Sequence, residues 1–69
     1  MNKLDLHGMR HEEVDRLVEN YVFLNELPVE IITGNSDKMI GIVKDVLERN
    51  DFEYTIGDFF NQGYITVIK

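Results

Sequence analysis

Residues 3 to 6, Lys-Leu-Asp-Leu, alternate polar and apolar and run into His7-Gly8, a pattern that predicts a short strand closed by a turn. The period then changes. From His11 to Glu26 the apolar residues Val14, Leu17, Val18, Tyr21, Val22 and Leu24 fall 3, 4, 7, 8 and 10 steps from the first, one stripe at about 100° per residue. This predicts an amphipathic helix whose outer side carries Glu12, Glu13, Asp15, Arg16 and Glu19, with Phe23 roughly opposite the stripe. Pro28 stops the helix, and Val29-Glu30-Ile31-Ile32, ending at Thr33-Gly34, reads as a second strand. Ser36 or Asp37 can cap a second helix that runs through Asn50. Its apolar face is Met39, Ile42, Val43, Val46 and Leu47, with Ile40 at the edge.

Two alternating segments close the chain. Phe52, Tyr54 and Ile56 share one face, and Ile65 and Val67 oppose Tyr64, Thr66 and Ile68. The link between them holds Gly57, Asp58, Asn61 and Gly63, which predicts an antiparallel pair joined by a loop. The order β-α-β-α-β-β implies right-handed crossovers, a parallel first pair, and an α/β two-layer sandwich with a mixed four-stranded sheet and two helices.

Composition narrows the picture. Sixty-nine residues make one domain, residues 1–69, that buries about 60% of the surface its unfolded chain exposes. The absence of cysteine removes disulfides, thiolate metal sites and thiol catalysis together. The longest apolar run, Tyr21 to Leu24, is four residues, against roughly 20 for a membrane span. With no signal-peptide pattern after Lys3 and Asp5, a cytoplasmic location and no membrane partner are expected. The net charge of −6 opposes extensive polyanion binding, although a local patch can differ in sign from the whole.

The chemistry gathers at the strand ends. Asp5 and His7 point to the same side of the first strand, with Cα atoms about 6.6 Å apart. Parallel pairing brings His7-Gly8 beside Thr33-Gly34 at the carboxyl edge of the sheet, where open α/β sheets bind ligands and where both helices start with free amides. Asp5, His7, Arg10, Thr33, Gly34, Asn35, Ser36 and Lys38 therefore converge on one crevice. There, His7 could transfer a proton near neutral pH if Asp5 orients it, or Asp5 could ligate a divalent cation such as Mg or Mn. The same residues also admit a structural role, with Asp5 holding the turn at Gly8 and His7 capping a helix. His7 and His11 lack a third nitrogen or sulfur ligand for zinc. Phe23 and Phe59-Phe60 could stack bases, pack over the sheet edge or form a dimer contact.

Leu4-Asp5-Leu6-His7-Gly8 resembles the LDLHG motif that opens the Smr (small MutS-related) domain, and Glu12-Glu13 the acidic start of its first helix. Thr33-Gly34-Asn35-Ser36 is similar to the second motif of that family, TGxG or HGxG, and Gly63 to Lys69 to its glycine-then-strand ending. The resemblance implies a βαβαββ domain that binds DNA or RNA and, in several members, cuts it as an endonuclease. It assigns activity to Asp5 and His7 and matches Gly34 to the first glycine of the second motif. Arg10, Thr33, Gly34, Asn35, Ser36 and Lys38 form the expected nucleic-acid contact. Two departures stand out: Ser36 replaces the second glycine, and Asn35 sits where a basic residue is common. The alternatives are a catalytically inactive protein-interaction module and a hydrolase of small phosphorylated compounds.

Overall fold

The computed structural model describes all residues from Met1 to Lys69 as β1 (Asn2–Asp5), α1 (His11–Leu24), β2 (Val29–Ile32), α2 (Asp37–Arg49), β3 (Tyr54–Ile56) and β4 (Tyr64–Val67). The sheet order is β1-β2-β4-β3, with β1 parallel to β2 and β4 antiparallel to both its neighbours. This is the mixed α/β architecture that the patterning predicts. The step from β2 to β3 passes over β4 in the same direction as the step from β1 to β2, so crossovers of one hand put both helices on one face. The helices accordingly pack on each other.

Between the layers lies one core of twelve buried residues: Leu6, Val14, Val18, Val22, Val29, Ile31, Met39, Val43, Val46, Leu47, Ile65 and Val67. Val14, Val18 and Val22 recur every fourth position and form the inner line of α1, flanked by half-buried Leu17 and Tyr21. Where the helices meet outside the core, Arg49 donates to Asp15 at 2.9 and 3.2 Å and to Asp45 at 3.1 Å, and reaches Glu19 at 3.5 Å. The other face of the sheet is uncovered. Its side chains include Lys3 and Glu30, an ion pair at 3.6 Å, followed in register by Thr66 and Thr55.

Several boundaries differ from those the pattern predicts. Strand β1 begins at Asn2 and ends at Asp5, although Leu6 continues the pairing by donating its amide to the Ile32 carbonyl at 2.9 Å. Helix α1 ends at Leu24, not Glu26. Asn25 is extended there (φ −120°, ψ 150°) and its side-chain amide donates to the Tyr21 carbonyl at 3.0 Å. Leu24 is 82% exposed instead of joining the stripe. Ten steps from Val14 put Leu24 about 80° round the helix axis, at the margin of the buried stripe, and the helix ends there. Phe52 falls outside β3. Its amide donates to the Leu47 carbonyl and the Asp51 amide to that of Glu48, closing α2 in a Schellman motif with Asp51 at φ +61°. This leaves the Phe52 ring edge-on to Phe23, with centroids 5.3 Å apart. No helix is long and apolar enough to cross a membrane.

Candidate functional site

The carboxyl ends of β1 and β2 lie side by side, because Asp5 is in register with Ile32, and Ile32 with Tyr64 of β4. Beyond this row the chain makes its first turn. The Asp5 carboxylate accepts, through Oδ1, the backbone amide of His7 at 2.9 Å, and Met9 donates to the Leu6 carbonyl at 3.0 Å. Gly8 sits at φ +78°, a backbone that glycine adopts without Cβ strain. The carboxylate therefore holds the turn by way of the backbone and makes no hydrogen bond to the imidazole. Asp5 Oδ2 and both ring nitrogens of His7 are left without partners in the chain, on exposed residues.

The second turn is built from Thr33 to Ser36. Both Thr33 and Gly34 donate their amides to the Gly63 carbonyl at 2.9 Å, and the buried Thr33 hydroxyl donates to the Gly34 carbonyl at 2.8 Å. These two residues are committed to holding the turn. Gly34 has φ +68°, a backbone that glycine adopts without Cβ strain, where the first glycine of the resembled motif falls. Ser36, by contrast, has φ −87° and caps α2, its Oγ accepting the Met39 amide at 3.2 Å. A serine there carries no backbone strain. The amides of Asn35, Ser36, Asp37 and Lys38 have no acceptor within the chain and remain available to an anion, as do those of His11 and Glu12 at the start of α1.

A third wall was not legible as part of the site. Since β4 runs antiparallel to β2, the β3–β4 loop of residues 57–63 returns to the same edge, where Gly63 accepts from Thr33 and Gly34. Asp58 organises this loop. Its Oδ1 accepts the amides of Phe60 at 2.8 Å and Asn61 at 2.7 Å, and its Oδ2 accepts the Tyr64 hydroxyl at 2.9 Å. Those bonds, first that from Asn61, hold the Asp58 carboxyl below the usual carboxylate range, and the bond to Asp58 pushes the Tyr64 hydroxyl up. Asp58 and Asn61 between two glycines predict this loop from the sequence, but not its return to the rim.

A depressed carboxylate stabilises the fold above its unfolded pKa, and that stabilisation is lost as pH falls through the folded value. The Phe60 and Asn61 amide resonances are therefore expected to shift together on acidification, with a midpoint below the ordinary 3.8. A midpoint at or above 3.8 in an NMR titration would show that Asp58 does not hold the loop.

No protein-family model, curated protein or solved structure matches the chain. Arg10 pairs loosely with Glu12 at 3.8 Å, and Lys38 forms no ion pair. Against these two cations stand Asp5, Glu12, Glu13 and Asp37 on the same turns and first helical turns. The chain contains no group of three or more histidine, cysteine, aspartate or glutamate side chains able to hold a metal ion, so a cation on Asp5 finds no ready-made cage. The one concavity, about 260 Å³, lies along a flank of α1 among Met9, Glu13, Arg16, Leu17 and Asn20. The rim itself is an open ledge.

Proposed function

We propose that the chain is a nucleic-acid-binding domain of the Smr type, which holds a phosphodiester on this rim and cuts it with His7 and Asp5. The observation that carries the reading is the meeting of two glycine turns at one sheet edge, each opening a helix with unpartnered amides, beside an unpartnered imidazole and carboxylate oxygen. The resemblance of Leu4–Gly8 and Thr33–Ser36 to the Smr motifs points the same way. An open ledge suits a polymer that enters from either side, whereas small-molecule sites are concave; this disfavours a hydrolase of small phosphorylated compounds.

In this reading the amides of Asn35 and Ser36, with Lys38 and Arg10, hold the phosphate oxygens. As the water oxygen bonds to phosphorus its proton passes to Asp5 Oδ2, and as the bond from phosphorus to the leaving oxygen breaks that oxygen takes a proton from the His7 imidazole, while Asp5 Oδ1 keeps the turn. The test is cleavage of labelled single-stranded and structured RNA and DNA by the wild-type chain, His7→Ala and Asp5→Asn. Asparagine preserves the acceptor for the His7 amide, so the turn stays. Cleavage is expected to fall about 10²–10⁴-fold in His7→Ala and to fall in Asp5→Asn as well, with circular dichroism unchanged. Wild-type rates in both variants would remove the catalytic assignment.

The acids around Arg10 favour a second reading, an inactive module that binds a basic protein segment. Absence of binding to every oligonucleotide at low salt would select it.

A further inference from the structure

Phe59 and Phe60 are 90% and 94% exposed, the most exposed large apolar side chains of the protein, and their rings meet edge to face with centroids 5.2 Å apart. Neither ring belongs to the core or to the half-buried side chains packed against it. A flexible loop could turn such rings inward, but this one is tied down. Asp58 accepts the amides of Phe60 and Asn61 and the Tyr64 hydroxyl, the Asp58 amide donates to the Asn61 carbonyl at 2.8 Å, and Asn61 Oδ1 accepts the Gly63 amide at 2.9 Å. The pair is thus presented to solvent by an ordered scaffold, and binding to it costs little loop ordering. Through Gly63 the same scaffold is bonded to Thr33 and Gly34, the turn that leads into the free amides of Asn35 and Ser36.

We propose that Phe59 and Phe60 form a stacking platform for unpaired nucleobases, which makes single-stranded or looped nucleic acid the substrate class of this rim. The inference rests on the reading of the rim as a phosphodiester site and adds to it the source of affinity and the choice of strand state. Charge supports unpaired over double-stranded substrate. A protein of net charge −6 with two cations on the rim cannot draw its affinity from many phosphates, and a second strand would face Glu12, Glu13 and Asp37. Aromatic faces supply an attraction that needs no positive charge, and only bases free of a duplex can reach them. Binding therefore combines strong dependence on the rings with weak dependence on salt.

The experiment measures, with the full chain, the affinity of labelled oligothymidylate, an abasic oligomer of equal length and a duplex, at several salt concentrations. Oligothymidylate is expected to bind more tightly than the abasic strand or the duplex, with a log–log salt slope no steeper than about −1.4 for two cations. Each ring is expected to contribute about 5- to 150-fold. Phe59→Ala/Phe60→Ala should bring oligothymidylate down to the affinity of the abasic strand, and Phe59→Leu/Phe60→Leu should do the same, because leucine keeps the apolar surface and loses the π-face. Phe60→Trp adds the only tryptophan to the chain, and its fluorescence should change on addition of oligothymidylate and not of the abasic oligomer.

Equal affinity for oligothymidylate and the abasic strand overturns the platform and leaves the phosphodiester reading standing. Full binding by the leucine variant also overturns it, in favour of general apolar contact. Failure of every oligonucleotide removes both readings. If the wild type then self-associates and the double alanine variant is monomeric in sedimentation, the rings belong to a contact between two copies.

Discussion

Leu47→Ala is expected to lower the free energy of unfolding by about 2–5 kcal/mol. Leu47 is completely buried within the twelve-residue core, and its carbonyl also accepts the Phe52 amide that closes α2. Shortening the side chain removes apolar burial and leaves a cavity that two helices and a four-stranded sheet cannot easily collapse to fill. A domain of this size has roughly 3–10 kcal/mol of stability in all, at 0.05–0.15 kcal/mol per residue. One side chain therefore carries a large fraction. In urea the midpoint should fall with the slope unchanged, and a loss below about 1 kcal/mol would mean that the core is looser than its burial indicates. No disulfide can offset such a change, since the chain has no cysteine.

Gly57→Ala is the second large effect, and it acts on the backbone. Gly57 has φ +52°, and a Cβ there would run into the Asn61 carbonyl oxygen and lie 2.5 Å from Gln62 Cα, both main-chain atoms. The loop would have to open, giving up its bonds to Asp58. The expected cost is about 1–3 kcal/mol from the backbone conformation alone, with displaced amide resonances for Phe59 to Asn61. In the platform reading, oligothymidylate affinity falls to that of the double alanine variant. Gly41→Ala is the control. Gly41 lies within α2 with nothing within 4 Å of the added Cβ, so alanine should stabilise the protein by about 0.8–1.0 kcal/mol. Equal effects of the two substitutions would contradict the geometry of the loop.

Much of the fold was legible because each element has its own period. Valines at 14, 18 and 22 and the apolar positions 39, 43, 46 and 47 can share one side only in a helix, and both helices bury those residues. Leu24 misled because it lies at the margin of the stripe in the last residue of α1, where an angle about the helix axis does not decide burial. Phe52 misled for a related reason, as alternation does not reveal that its amide closes the preceding helix.

At the rim the division is sharper. Local chemistry decided the two glycine turns, the acceptor role available to Asp5, the serine cap of α2 and the acidic balance, since each depends on neighbours a few residues away. Only the tertiary structure decided that β4 lies beside β2 and so returns the loop with Phe59 and Phe60 to the edge that holds His7 and Ser36. It also decided that the amides of Thr33 and Gly34 go to Gly63. Those outcomes turn on which strand pairs with which, a choice made by packing the whole apolar set at once and written in no single segment of the chain.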